Sequence, residues 1–463
     1  MPNPLTPPSV EDRARGRKPL SFGFGPRFFV ALLIGFVWLV PAWWSPRFIT
    51  GMFLWDALAL AAWFFDLLRL PAPSALAVSR TWSGPLILGR PVSAGIGIQN
   101  FGRVPVSATL VDRTPPALRH EPPVLTAIVR PAFPALQQYT IVPRERGEAA
   151  LGELFLRYRS ALGFAERWAV APLAQTVCVL PDLLQAEEQA LLLIRSRQVE
   201  MERRRRRQPG MGREFESLRE YREGDEFRDI SWSATARRHQ LITRTYTAER
   251  SQTVWIVVDA GRLLRARIQE AGRDVHFSKL DYAVNAALSV AQVASQHGDR
   301  VGLVAYGRSI QQSAAPGRGP LHIRTLVDAL AHVRSEPGEA DHARAARTIT
   351  QKQTRRSLVI WITDFAETPA TPDVIEYSAQ LAKRHLVLFA AIGQPDLAAA
   401  AQAIPETEAE MFRQAAALEI VDRRDLLLRK LRQTGVLAIE LAPGRLTTSL
   451  VNEYLQIKDR GLL

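Results

Sequence analysis

One cysteine, Cys178, in 463 residues excludes an internal disulfide framework and any zinc site built from several thiolates. The chain also lacks a GxxxxGK phosphate loop, an HExxH helix and a GxSxG turn. Those absences remove the common signatures of nucleotide hydrolysis, zinc proteolysis and serine hydrolysis. Histidines are scarce and scattered: His276, His297, His322 and His385 have no nucleophile placed beside them in the sequence. Acidic residues are the minority charge, 46 against 59 Lys and Arg, for a net +13. A basic balance of that size points to anionic partners, either nucleic acid or the anionic face of a membrane.

Long apolar runs are present, and there are two of them. Phe28 to Trp44 carries no charge over 17 positions, about 26 Å of helix, at the short end for a membrane span. Phe48 to Leu68 is interrupted only by Asp56 and Asp66, and the residues between the runs leave room only for a tight hairpin. Arg13, Arg15, Arg17, Lys18 and Arg27 precede the first run, and Arg69 and Arg80 follow the second. By the positive-inside rule this predicts two transmembrane helices with both ends cytoplasmic. The expected location is therefore the bacterial inner (cytoplasmic) membrane, multi-pass, with the bulk of the chain in the cytoplasm and membrane lipids among its partners.

From Ala75 to Pro181 short alternating stretches such as "LAVSRTW" and "ELFLRYRS" recur between turn residues, which predicts an antiparallel β-sandwich-like domain. Cys178 falls in its last strand. Residues 185–209 read as a helical linker ending in five arginines, Arg203 to Arg207, a solvated helix end or a contact for anionic lipid or RNA.

Beyond residue 250 buried strands alternate with helical stretches. "VWIVVD" ends in Asp259, "SLVIWITD" ends in Asp364, and Ser278 is placed to cap the helix between them. This pattern predicts an α/β domain with a parallel sheet covered by helices on both faces. Carboxylates at strand ends occupy the place where such sheets present their ligands.

The tract "REFESLREYREGDEFRDISWSATAR", Arg213 to Arg237, combines a turn at Glu223-Gly224-Asp225 with a short extended piece on which Ile230 and Trp232 point inward. With "LITRTYTAER" and the strand ending in Asp259, it resembles the domain-of-unknown-function 58 family. That resemblance implies a von Willebrand factor A-like domain over residues 210–463, a membrane anchor, and a MoxR-type AAA+ ATPase as partner. It marks Arg219, Tyr221, Gly224, Asp225, Arg228, Trp232 and Arg237 as candidate interaction residues. In von Willebrand factor A domains a divalent metal lies on a D-x-S-x-S turn with a threonine and a second aspartate. Asp259 and Asp364 match the two aspartates, whereas Gly261 and Leu263 replace the serines, and a threonine is expected between Arg308 and Thr325. Leucine offers no oxygen to Mg²⁺, so the site reads as degenerate, with no cofactor expected beyond weak Mg²⁺. Arg262 is placed to pair with either carboxylate instead of a cation.

These readings predict a basic amino terminus (1–27), a transmembrane helical hairpin (28–70), the sandwich-like domain (75–181), the linker (185–209) and the α/β domain (210–463). The function they favour is a non-enzymatic, membrane-anchored adaptor that works with a MoxR-type ATPase on protein clients. The alternative is a metal-dependent, adhesion-type ligand binder, and nucleic acid is the least favoured partner.

Overall fold

The computed structural model describes residues 6–16, 21–182, 214–222, 227–247, 252–268, 277–364 and 371–462. The arginine run, with the linker around it, and Gly224 and Asp225 lie outside the described residues. The chain divides into two compact units, Met1–Leu180 and Pro181–Leu463.

The first unit is built on antiparallel strands. The amino-terminal segment, read above as a basic tail, contributes three of them: β1 (Val10–Arg13), β2 (Arg15–Gly16) and β3 (Phe22–Phe24). After a helical excursion come β4 (Leu76–Trp82), β5 (Val92–Asn100), β6 (Val106–Asp112), β7 (Val124–Val129) and β8 (Ala135–Ile141). They are followed by β9 (Gly147–Leu151), β10 (Leu154–Ser160), β11 (Ala165–Ala171) and β12 (Gln175–Val179). One sheet runs β1-β4-β5-β8, the other β2-β11-β10-β6-β7 with β3 also on β11, and β9 pairs with β12. Strict alternation of buried and accessible residues, clearest in β6 and β9, directs one face of each strand inward. Where the buried faces meet, Arg80 of one sheet forms a salt bridge with Asp112 of the other, both fully buried. Tyr139 donates to the same carboxylate at 2.6 Å, and the Leu173 and Gly152 carbonyls accept two further guanidinium protons. The buried charge is thus matched by hydrogen bonds on both partners.

The helical excursion corrects the multi-pass reading. Only one helix among the described residues is long and apolar enough to cross a membrane: α3, Arg47–Arg69. Its 23 residues span about 35 Å, more than the roughly 30 Å of a hydrocarbon core. The first apolar run is instead broken into α1 (Pro26–Gly35), a 3-10 turn (Phe36–Trp38) and α2 (Leu39–Ala42). Pro41 explains the break: it has no N–H to donate to Val37, and its ring crowds that carbonyl, so the backbone tightens just ahead of it. Counting uncharged residues missed this, because hydropathy does not register a lost backbone donor.

The base of α3 is fixed to the strands of its own unit. Asp66 is fully buried and accepts from the Ser160 hydroxyl at 2.5 Å and from the Phe164 and Ala165 N–H groups at 3.0 and 2.9 Å. Trp63 donates to the Gly23 carbonyl at 3.2 Å beside the rings of Phe22 and Phe24. Asp66→Ala leaves three donors, two of them buried, without this acceptor and is expected to lower stability by about 2 kcal/mol. Thermal unfolding in detergent, with the exposed Asp12→Ala as control, reads this; equal melting points would show that the clamp contributes nothing.

In the second unit, β13 (Glu214–Glu220) and β14 (Ile242–Thr247) form an antiparallel ribbon, with α4 (Trp232–Arg238) between them. The main sheet begins with β15 (Thr253–Asp259), and two short strands, β16 (Arg267–Ile268) and β17 (Phe277–Ser278), lead into α5 (Lys279–Gln296). Next come β18 (Arg300–Tyr306), β19 (Ile310–Gly317), α6 (Pro320–Ala331), α7 (His342–Lys352), β20 (Leu358–Thr363), α8 (Thr371–Ala382) and β21 (Leu386–Ile392). The chain closes with α9 (Pro395–Gln402), α10 (Glu408–Gln433), β22 (Leu437–Leu441) and α11 (Pro443–Asp459).

The sheet order is β19-β18-β15-β20-β21-β22; all pairs are parallel except β18 with β19. Every residue of β20, and all but the first of β15, is buried, as a sheet covered on both faces requires. On one side Ala345, Ile349, Val374, Leu381, Leu428 and Leu431 pack with Trp255 and Trp361. α5, fixed at its start by a Ser278–Asp281 capping box, lies against β15, β18 and β20. The chain leaves β15 toward β18 and leaves β20 toward β21. The strand order therefore reverses between β15 and β20, and a crevice is expected outside their carboxyl ends.

Candidate functional site

Both sequence-predicted aspartates stand at that reversal. Asp259 closes β15 and is 3% exposed; Asp364 follows β20 and is 2% exposed. The Asp259 carboxylate accepts from the Gly261 N–H at 2.7 Å and from the Thr363 hydroxyl at 2.6 Å. Thr363 lies on the neighbouring strand, not in the 308–325 stretch where a threonine was expected; Thr325 instead donates to the Leu321 carbonyl of its own helix. Burial raises the pKa of Asp259 to about 6; the two donors pull it down, and the charge of Asp364 pushes it up.

Asp364 is held by two cations. The Lys279 ammonium reaches Oδ2 at 2.5 Å, and Arg424 of α10 reaches Oδ1 at 2.8 Å. Arg424 also donates to Glu440 of β22 at 2.9 Å and to the Ile392 carbonyl at the end of β21 at 3.1 Å. Four sheet strands and two helices thus converge on one charged cluster at the carboxyl edge. Burial pushes the Lys279 pKa down and Asp364 pulls it back up; for Arg424 burial opposes the charge, yet Asp364 and Glu440 outweigh it. Arg262, expected on these carboxylates, lies 3.7 Å from Glu339 instead. Among the described residues, no group of three or more His, Cys, Asp or Glu is placed to hold a metal ion.

Sequence reasoning missed Lys279, Thr363, Arg424 and Glu440. Lys279 did leave a signal: it follows the capping serine directly, and a cation at a helix amino terminus opposes the helix dipole, so a buried carboxylate near it was to be expected. Arg424 left none, since "VDRRDLLLRKLRQ" reads as ordinary solvated helix charge.

The family tract forms a second surface. Ile230 is buried and bridges to Thr243, but Trp232 does not point inward from an extended piece: it begins α4 and is 66% exposed. The reason is local, because buried Ser231 donates its N–H to the Ile242 carbonyl and starts the helix there, which turns Trp232 outward. Tyr221 lies against the exposed ring of Phe227 at 6.0 Å, with Leu218 and Leu241 also exposed. Arg219 is partly exposed and donates to the Glu220 carbonyl, and Arg237 is exposed on α4. Arg228 belongs to the 3-10 turn Phe227–Asp229.

An α/β sheet whose carboxyl edge is closed by the protein's own cations, with an antiparallel ribbon ahead of it in the chain, defines the class of domain. Residues 217–407 match the family described as "Protein of unknown function DUF58". No curated protein matches the chain. Among solved structures it is similar to conserved hypothetical protein BatB from Bacteroides thetaiotaomicron, at 14% identity and TM-score 0.29, over 45% of this chain and 100% of that one. Two crystal structures of proximal thread matrix protein 1 from the mussel byssus are also similar. Their identities are 11% and 13% and their TM-scores 0.28 and 0.26, over 43% and 44% of this chain and 46% of each of theirs.

Proposed function

We propose that this protein is a non-enzymatic adaptor, anchored by its apolar helical segment, whose second unit binds other proteins. The observation that carries this reading is the exposure of Phe227 and Trp232 in the family tract, with half-buried Tyr221 against Phe227, half-buried Arg219 and exposed Arg237 in the same tract. Aromatic and arginine side chains are the types that anchor protein interfaces. Arg228, Gly224 and Asp225 enter the proposal through the family tract in the sequence alone. We read the sheet as von Willebrand factor A-like, with the helix Arg47–Arg69 as the anchor and residues 210–463 as the interacting domain. The buried carboxylates support binding over catalysis, since Asp364 is held by two cations and Asp259 by two donors.

The resemblance to the family makes a MoxR-type AAA+ ATPase the proposed partner, with unidentified protein clients. The test is capture from detergent-solubilised cells with and without ATP, using the wild type and a Trp232→Ala/Arg237→Glu variant. Nucleotide-dependent recovery of an AAA+ ATPase by the wild type, reduced about tenfold or more in the variant, is the expected result. Recovery without any ATPase, from cells shown to express one, would overturn the partner assignment. Equal recovery by both proteins would move the contact away from this surface.

A further inference from the structure

A divalent ion at the sheet's carboxyl end needs oxygen ligands with free lone pairs and space between them. Leu263 offers no side-chain oxygen, and a Cβ at Gly261 would stand 3.0 Å from both Cβ and N of Ala340, so a serine there would have to displace its neighbour. Asp259 already accepts two short hydrogen bonds. Each oxygen of Asp364 faces a protein cation, at 2.5 and 2.8 Å. These residues do not fit a divalent ion.

We propose that the Lys279 ammonium is the resident cation of this site, taking the position of a metal ion and making the domain independent of divalent metals. Three observations converge. Lys279 is the first residue of α5, where the helix dipole disfavours a cation, and it is 2% exposed, where desolvation disfavours charge. Both penalties are offset only by a carboxylate, and Asp364 is the one it reaches. The second cation, Arg424, comes from the opposite side of the sheet and carries Glu440 with it, so the cluster binds α5, β20, β22 and α10 together without an exchangeable ligand. A metal site would make this connection depend on ion concentration; an ammonium on a helix makes it permanent. The inference rests on reading the sheet as von Willebrand factor A-like and is independent of whether an ATPase is captured.

Manganese chloride is the probe, with free Mn²⁺ followed by electron paramagnetic resonance in titrations of the detergent-solubilised full chain. Wild type is expected to leave the free-Mn²⁺ signal unchanged, and its melting point to be the same in magnesium chloride and in EDTA. Lys279→Met, which removes the ammonium and leaves both aspartates, is expected to bind Mn²⁺ about tenfold or more tightly than wild type. Stoichiometric Mn²⁺ binding by wild type that disappears in Asp364→Asn would overturn the proposal. So would a folded Lys279→Met protein that binds no better than wild type, because the ammonium would then not be what excludes the ion. Should that variant fail to fold, the wild-type titration and its Asp364→Asn control decide the matter.

Discussion

Asp364→Ala is expected to destabilise the second unit by about 3–5 kcal/mol, among the largest effects of any single substitution in it. The carboxylate is the shared acceptor for Lys279 and Arg424, which are 2% and 5% exposed. Removing it strands the buried Lys279 ammonium and takes one of its two carboxylates from Arg424, with Glu440 and the Ile392 carbonyl still in place. The loss is mainly the desolvation of cations left behind, not the attraction that was broken, and this distinguishes it from a cavity. Asp364→Ala combined with Lys279→Met should therefore recover part of the stability, because the stranded charge goes with its partner. Denaturant unfolding of the two single variants and the double variant measures the coupling. Additive losses would mean that the two residues do not depend on one another, and a loss below about 1 kcal/mol for Asp364→Ala would place the anchoring of the sheet edge elsewhere.

Much of this architecture was legible because it is written in periodicity. The run "VWIVVD" is apolar at consecutive positions, not alternate ones, and only a strand covered on both faces tolerates that. The Ser278 cap follows from a hydroxyl placed just ahead of an apolar helical face, whereas the reversal of strand order that brings Asp259 and Asp364 together is not contained in the alternation of strands and helices. What could not be read is charge pairing over long separations. Lys279 and Asp364 are 85 positions apart, Arg424 and Asp364 60, and nothing in the local pattern of α10 distinguishes a buried arginine from the exposed Arg423 beside it. Two errors have the same root. Composition alone made Phe28 to Trp44 a continuous helix, although Pro41 removes a backbone donor from it. Alternation alone turned Trp232 inward, although the Ser231 backbone bond starts a helix at that residue.

Two opposed buried groups, His342 and Asp259, should nearly offset one another in the pH dependence of stability between about pH 4 and 6.5, and each should be exposed by removing the other. His342 is buried, and desolvation lowers its pKa to about 4. Trp361 Nε1 donates to the Tyr306 hydroxyl at 2.7 Å, and the same hydroxyl lies 2.8 Å from Nδ1 of His342, where the neutral ring with its proton on Nε2 can accept from it. Between pH 4 and 6.5 the unfolded chain binds a proton at this histidine that the folded chain does not. Its contribution is fully present above about 6.5 and lost as pH falls toward 4, roughly 3 kcal/mol at about 1.4 kcal/mol per pH unit. Asp259 has the opposite sign. Its folded pKa of about 6 lies above the ordinary value near 4, so the folded state holds the extra proton and stability rises as pH falls through that window, again by roughly 3 kcal/mol. Asp259→Asn keeps an acceptor for the Gly261 N–H and offers its amide to Thr363. It should raise stability at neutral pH and reveal a steep loss toward pH 4. His342→Gln keeps an acceptor for Tyr306 and should show stability increasing toward acid. Melting temperatures of the three proteins across this range test the pair, and parallel curves would mean that neither group carries the shift its burial implies.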